Sequence, residues 1–169
     1  MGSGARRAGL VAGLAAVALV SGASAAAPRV GLLVTSKSLG GLRLGSIGAQ
    51  VNAAWGSRHG VCRDCREQTW YFNLRKFEPQ GAGLAFRRGR VVALFTVWSP
   101  QGWHTDRGLR IDDPAARIAG LYGSSLLRVD CGTYAVLLLR RGRTTTSFYV
   151  VDERVWGFGL SRLGEPACR

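Results

Sequence analysis

Cys62 and Cys65 form the motif Cys-Arg-Asp-Cys, the arrangement in this sequence with the clearest potential for chemistry. Two cysteines at this spacing can form a structural disulfide or act as a redox-active pair. Redox activity of the thioredoxin type requires the motif at the N-terminus of a helix, where the helix dipole lowers the pKa of the thiol. Here the motif follows the end of a predicted helix, so its position favours a structural disulfide.

The other possible ligands do not combine into a metal or cofactor site. Cys131 and Cys168 are widely separated, and His59 and His104 show no zinc-ligand spacing. The segment 157–159, Gly-Phe-Gly, lacks the third glycine and the following helix that a dinucleotide-binding loop requires. We therefore expect neither a metal ion nor a cofactor.

Nucleophilic catalysis has little support in the sequence. Residues 159–164 contain a serine between two glycines, but with one residue too many for the Gly-x-Ser-x-Gly motif of hydrolases. His104 and Asp106 lie two positions apart in a predicted loop, where they could form an acid–base pair or simply contribute to a polar surface. We expect a non-catalytic protein; the alternative is a secreted thiol-disulfide or hydrolytic enzyme that uses Cys62/Cys65 or His104/Asp106.

The same loop, residues 99–107, carries side chains suited to contact with a partner. Trp103 lies between two turn-forming stretches, and tryptophan is enriched at the energetic centres of interfaces. His104 is beside it, and Arg107 and Arg110 would surround it with positive charge that suits an acidic partner. Alternatively, Trp103 covers the edge of a sheet and belongs to the core.

Two aromatic residues of the last predicted strand are further candidates for binding. Trp156 and Phe158 alternate with Gly157 and Gly159, which predicts both rings on one side of the strand and both glycines on the other. Glycines there would let another surface approach closely. The predicted binding residues are Trp103, His104, Arg107, Arg110, Trp156 and Phe158.

The elements that position these residues follow a repeated pattern. Residues 41–44, Gly-Leu-Arg-Leu, precede a helical pattern that ends at Trp55-Gly56. A similar segment, Gly-Leu-Arg-Ile at 108–111, precedes a helical pattern that ends at Tyr122-Gly123. We predict that each helix ends at its glycine, the residue that most easily adopts a positive φ there.

The predicted helices each have an apolar side and, in the second case, a marked start. Apolar residues at helical spacing are Ile47, Val51 and Trp55 in the first helix and Ile118, Leu121 and Tyr122 in the second. Asp113 is predicted to cap the second helix, with Pro114 at its first position.

Strand-like runs follow each helix. They are 69–77, 82–87 and 90–98 with a turn at Arg88-Gly89, and then 134–139, 145–151 and 155–160 with turns at Arg141-Gly142 and Asp152-Glu153.

These patterns predict an α+β fold of two tandem repeats, each a short helix followed by a three- to four-stranded antiparallel meander. A repeat of about 60 residues is too small to fold confidently alone. We therefore predict one domain over residues 41–169, with repeats at 41–98 and 108–161, a tail at 162–169 and a lead-in strand or linker at 26–40. The favoured disulfides are Cys62–Cys65 and Cys131–Cys168, because each then stays within one repeat.

The N-terminus has the pattern of a cleaved signal peptide, residues 1–25. Arg6 and Arg7 precede an apolar run, and small residues at 23–25 suit a signal peptidase, so the mature chain is expected to begin near Ala26. The apolar run is too short and too weakly hydrophobic to span a membrane. We expect a secreted protein, extracellular or periplasmic, with no transmembrane segment after cleavage.

Composition and charge limit the classes of partner. The chain has 169 residues, 47% of them hydrophobic and 20% charged, which suits one globular domain. Its formal net charge is +13, and removal of Arg6 and Arg7 with the signal peptide leaves +11. This charge suits an anionic envelope component or an acidic protein, and secretion argues against nucleic acid.

The best-matched part of the repeat, from Thr105 to Ile111 and on to Tyr122-Gly123, also resembles known families. Gly-Leu-Arg, a short helix that ends in an aromatic residue and glycine, and a meander resemble the tandem modules of the beta-lactamase-inhibitor-protein-like fold and of the SmpA/OmlA-type domains. The resemblance covers most of residues 41–161. It implies binding of proteins or envelope components and implies no active site.

Overall fold

The computed structural model describes Met1, residues 31–72 and residues 81–169. The predicted signal peptide beyond Met1 and the predicted mature start at Ala26 lie outside the described residues. So do residues 73–77 of the first predicted strand.

The described chain contains two short helices and eleven strands. In chain order they are β1 (Leu32–Val34), β2 (Ser38–Leu39), α1 (Gly48–Trp55), β3 (Gly60–Cys62), β4 (Gln68–Phe72), β5 (Gly81–Arg87), β6 (Arg90–Val97), β7 (His104–Thr105), α2 (Ala116–Tyr122), β8 (Leu127–Asp130), β9 (Ala135–Arg141), β10 (Thr144–Val151) and β11 (Arg154–Arg162).

Eight of the strands form one antiparallel sheet in the order β3-β4-β5-β6-β11-β10-β9-β8. The hairpins β5–β6 and β10–β11 turn at residues 88–89 and 152–153, as the sequence predicted. A second, small sheet, β2-β1-β7, includes the parallel pair β1–β7 and contributes Leu33 and Leu39 to the same core as the large sheet.

The prediction of an α+β fold built from two helix-plus-meander repeats is wrong. The described chain is mostly β, its helices have only eight and seven residues, and the strands of both predicted meanders belong to one continuous eight-stranded sheet. The continuity comes from pairing of β6 with β11, in which Leu94 lies opposite Leu160. Local sequence patterns do not encode a contact between strands so far apart in the chain, and so the two halves looked like separate units.

Both helices pack on one side of the large sheet, which we call the helix face. Trp55 of α1 contacts Phe72 of β4 edge-to-face, and its indole N–H donates to the carbonyl of Gly40 at 2.8 Å. Tyr122 of α2 packs against Phe148 of β10, with ring centres 4.5 Å apart. This layer forms the main hydrophobic core of the described residues.

The other side of the large sheet, which we call the open face, carries a second apolar cluster. Phe95, Val136, Leu138 and Tyr149 are buried there, although no helix covers this side in the described chain. Strands β6, β9 and β10 are therefore apolar on both faces. A sheet that is apolar on its uncovered face needs a cover or a ligand.

The helix starts differ from the prediction. Asp113 does not cap α2, which begins only at Ala116; its carboxylate instead accepts the main-chain N–H of Arg110 and the side chain of Arg117, each at 2.8 Å. Main-chain hydrogen bonds from Val155 N–H to the Asp113 carbonyl and from Asp112 N–H to the Val155 carbonyl hold this segment beside β11, and the helix begins only after it. Ile47, predicted on the apolar side of α1, precedes that helix and is 42% exposed.

Both helices end at the predicted glycines. Gly56 has φ 88° and ψ 169°, and Gly123 has φ 86° and ψ 176°. This combination of angles is essentially restricted to glycine. It turns the chain sharply away from each helix and towards the next strand.

Gly123→Ala therefore tests the backbone at a helix end without a packing effect, because an added Cβ would meet no atom within 4 Å. We expect the free energy of unfolding, measured by urea denaturation, to fall by about 1–3 kcal/mol. Gly120→Ala is the matched control, since Gly120 lies in α2 with equally open space around it. Gly120→Ala should raise the free energy of unfolding by about 0.5–1 kcal/mol. If Gly123→Ala leaves the free energy of unfolding unchanged, the helix end accepts alanine without strain and does not require glycine.

Candidate functional site

A cavity of about 740 Å³ opens on the open face where the central strands separate. Strands β6 and β11 pair only from Ala93–Ser161 to Phe95–Gly159. Beyond that point, the hydroxyl oxygen of Thr96 accepts the N–H of Phe158 at 2.9 Å, in place of a main-chain carbonyl. The ladder thus ends inside the sheet, and the space beyond it becomes the cavity.

Glycines make this arrangement possible. A Cβ at Gly157 would lie 2.4 Å from the Thr96 hydroxyl oxygen, and a Cβ at Gly159 would lie 2.6 Å from the Tyr149 hydroxyl oxygen. A Cβ at Gly83 of β5 would lie 2.6 Å from the ring of Phe95. The rings of Phe95 and Tyr149 therefore occupy space beside glycines of the neighbouring strands that a larger residue would fill.

A β-bulge places Trp156 in this cavity. Tyr149 pairs with Gly157, but the next residue, Val150, pairs with Val155, so Trp156 is an extra residue in β11. A bulge interrupts the alternation of side chains. Trp156 consequently packs with the open-face cluster, whereas Phe158 lies in the helix-face core with no exposure, and the prediction that both rings share one side is wrong.

Trp98 stands at the mouth of the cavity in an unusual backbone conformation. Its φ is 56°, a left-handed value that is uncommon for a large aromatic residue. The side chain is 56% exposed, and its ring meets that of Trp156 edge-to-face with centres 6.1 Å apart. An exposed tryptophan held in a strained conformation points to a functional role.

The cavity lining is predominantly aromatic. The residues are Tyr71, Phe95, Thr96, Val97, Trp98, Thr133, Tyr134, Tyr149, Val151, Trp156 and Arg169. None of them is a histidine, cysteine, aspartate or glutamate, the residues whose side chains most often serve as acid, base or nucleophile. Burial raises the pKa of Tyr149 above its ordinary value, and nearby Arg169 opposes this rise only in part. Its phenol therefore stays neutral at physiological pH.

The C-terminal segment brings one positive charge to the cavity. The Cys131–Cys168 disulfide ties the segment to the loop before β9, and the Tyr134 hydroxyl accepts the main-chain N–H of Arg169 at 2.6 Å. The Arg169 guanidinium lies 5.5 Å from the centre of the Phe95 ring. It is the one charged side chain among the described lining residues.

The loop predicted to bind a partner lies elsewhere. Trp103 is only 4% exposed, and its ring packs so closely on Gly31 that a Cβ there would lie 2.6 Å from it. Its ring therefore belongs to the core, the alternative that the sequence left open. A smaller cavity of about 380 Å³ brings Trp103, His104 and Arg110 together, while Arg107 lies over the ring of Tyr122.

The side chains of the alternative enzyme sites are engaged with other groups. The imidazole of His104 lies 3.2 Å from the carbonyl of Gly102, and the carboxylate of Asp106 accepts the Thr35 hydroxyl at 2.7 Å. His104 and Asp106 therefore do not form a hydrogen-bonded pair here.

The cysteines form the two disulfides that the sequence favoured, Cys62–Cys65 and Cys131–Cys168. Cys62 ends the strand β3 and Cys65 lies in the turn to β4, so neither begins a helix. This position lacks the helix dipole on which a thioredoxin-type thiol depends.

Within residues 31–72 and 81–169, no group of three or more possible metal ligands is close enough together to hold an ion. Neither of the two helices in that part of the chain is long enough to cross a membrane.

Of the residues that line the cavity, only Trp156 is among the binding residues predicted from the sequence. A signal was available in strands whose residues are apolar at successive positions, such as Trp70-Tyr71-Phe72 and Phe148-Tyr149. Such runs predict strands with apolar side chains on both faces. Trp98 and Arg169 have no comparable signal, because their positions depend on a turn and on a disulfide.

Comparisons with known proteins show the fold and no more. No protein family matches the sequence, and a sequence search of curated proteins finds no match. The chain is similar in structure to an extracellular protein containing a SCP domain from Bacillus anthracis, with a TM-score of 0.52 and 12% identity over 71% of this chain. The match spans 44% of that protein, less than half its length.

Two further solved structures have lower similarity. They are a DUF4309 family protein from Bacillus subtilis (TM-score 0.46, 16% identity, 69% of this chain and 78% of that one) and a cysteine-rich secretory protein from Staphylococcus aureus (TM-score 0.45, 12% identity, 71% and 44%). Their descriptions name neither the beta-lactamase-inhibitor-protein-like nor the SmpA/OmlA families, so that resemblance stays a prediction.

The two disulfides should differ in their effect on stability. Replacing Cys131 and Cys168 by serine opens a loop with a sequence separation of 37, which should cost about 4 kcal/mol of unfolding free energy in the chain-entropy account. The same replacement at Cys62 and Cys65, with a separation of 3, should cost about 2 kcal/mol. Guanidinium denaturation measures both, and equal losses would show that loop length does not determine the effect.

Proposed function

We propose that this is a secreted, non-catalytic binding protein whose ligand occupies the aromatic cavity on the open face. The observation that carries the proposal is the exposed, strained Trp98 beside Trp156 at the mouth of an apolar cavity. Its volume is typical of sites that bury a small molecule or a few side chains of a larger ligand.

The lining indicates the chemistry of the ligand. The ring of Tyr134 lies against those of Tyr149 and Trp156 beside the cavity, and such surfaces bind flat or chain-like apolar groups. Arg169 is the charged group there, so it would pair with an anionic substituent. The ligand is therefore an apolar group with a negative charge, presented by a protein or by an anionic envelope component.

Four observations support secretion and a binding role. The signal-peptide pattern and two disulfides both suit an oxidising compartment outside the cytoplasm. The structurally similar Bacillus anthracis protein is described as extracellular. The cavity lining has no acid–base or nucleophilic pair, which favours binding over catalysis.

Binding of 8-anilinonaphthalene-1-sulfonate, an aromatic anion, tests the cavity directly by fluorescence titration. The exported protein should bind one equivalent, and Trp156→Ala should weaken binding by about 5- to 150-fold, because an aromatic contact with a ligand is worth roughly 1–3 kcal/mol. Leu127→Ala is the control: Leu127 is 46% exposed on β8 and does not line the cavity, so binding should be unchanged. Equal binding by Trp156→Ala and the parent protein would contradict the proposal.

Trp98→Gly separates a role in binding from a role in folding. Glycine adopts a positive φ without strain, so the free energy of unfolding should stay within about 1 kcal/mol of the parent value. Probe binding should nevertheless fall, because the exposed ring at the mouth is lost. A variant that binds normally but unfolds far more easily would show that Trp98 serves stability.

A thiol titration distinguishes this proposal from the alternative thiol-disulfide enzyme. The exported protein, unfolded without reductant, should show no free thiol because all four cysteines are paired. Two reactive thiols at Cys62 and Cys65 would favour the enzyme.

A further inference from the structure

Arginines gather at the end of the large sheet that lies away from the aromatic cavity. The β5–β6 turn carries Arg88 and Arg90, and β11 ends at Arg162, which pairs with Thr144. Thr144 follows the β9–β10 turn, which carries the remaining arginines of the group. The row consists of Arg88, Arg90, Arg140, Arg141, Arg143 and Arg162, all of them exposed.

These charges are not neutralised within the described structure. The salt bridges found there use Arg87, Arg117 and Arg154, and none uses an arginine of the row. Arg87 lies next to the row, but it is bound by Glu67 and Glu165. A further turn at this end carries Asp64, flanked by Arg63 and Arg66.

Several acidic residues also lie at the opposite end. Asp152 and Glu153 form the β10–β11 turn, and Asp112 and Asp113 bond to Val155 beside it. At the end that carries the row, six exposed arginines outnumber the three acidic residues nearby, two of which already bind Arg87. Positive charge is therefore partly separated from negative charge along the strands. The separation creates a strong positive potential at one end.

We propose that the arginine row binds a linear polyanion whose charges are phosphate groups. The strands β6, β11, β10 and β9 are adjacent, so a spacing of about 4.8 Å places the two turns about 14 Å apart. A single phosphate cannot bridge that distance, but a chain of phosphates can contact both turns and Arg162 between them. Guanidinium groups suit this role because they bind phosphate oxygens in pairs.

The arginine row and the aromatic cavity are separate sites. Trp98 and Trp156 lie near the acidic end of the strands, beyond the point where β6 and β11 separate. A ligand on the arginine row therefore leaves the cavity open.

Isothermal titration calorimetry of the exported protein with long-chain inorganic polyphosphate tests the row. Arg88→Gln/Arg143→Gln removes one charge from each turn. Each lost phosphate contact reduces the slope of log K against log salt by about 0.7, so the variant should lower the slope by about 1.4 and the affinity roughly 25-fold at 0.1 M salt. Arg88→Lys/Arg143→Lys keeps the charges and should retain most of the affinity.

The matched control is Arg58→Gln/Arg110→Gln, which removes the same net charge from exposed positions outside the row that, like the row, form no salt bridge in the described structure. It should bind polyphosphate nearly as the parent does, and triphosphate should bind the parent far more weakly than the long chain. An equal loss in the control, or equal binding of triphosphate, would overturn the proposal. Tighter binding to phosphatidylglycerol vesicles than to polyphosphate, at equal phosphate concentration, would overturn it in favour of a membrane surface.

Discussion

Strands β6 and β11 are joined over only three residue pairs, from Ala93–Ser161 to Phe95–Gly159, yet the large sheet depends on this junction. It connects β3–β6 with β8–β11, and the continuous helix face that results allows α1 and α2 to share one core. The early end of the β6–β11 pairing is equally important. Where Thr96 replaces a main-chain partner of Phe158, the strands separate and the open face gains a cavity instead of a closed surface.

The shape of the cavity depends on glycines in one strand and larger side chains in the strands beside it. Gly157 and Gly159 leave room for Thr96 and Tyr149, and the rings of the open face fill the space that these glycines provide. Trp98 adds an exposed ring, and its backbone has a left-handed φ of 56°. Such a conformation costs about 1–3 kcal/mol, so its presence beside an apolar cavity is better explained by a ligand than by stability.

Local features of the fold could be predicted from the sequence, and features that depend on distant contacts could not. The hairpin turns at 88–89 and 152–153, the helix ends at Gly56 and Gly123, and both disulfides follow from residue types and spacing. The single eight-stranded sheet depends on a pairing between strands more than 60 positions apart, which local periodicity cannot show. The same limit applies to the candidate site. The bulge at Trp156 places Trp156 and Phe158 on opposite faces of the sheet, although their spacing predicts one face. Trp103 is buried against residues beside β1 and β2, which lie far from it in the chain.

The five tryptophans allow a direct test of the proposal that the ligand binds in the aromatic cavity. Two of them, Trp98 and Trp156, line it, whereas Trp55, Trp70 and Trp103 pack on the helix face. The measurement is a ¹⁵N NMR titration of the indole N–H signals with 8-anilinonaphthalene-1-sulfonate. We expect shifts at Trp98 and Trp156 and none at the other three; a shift confined to Trp103, with Trp98 and Trp156 unchanged, would show that the probe binds outside the aromatic cavity.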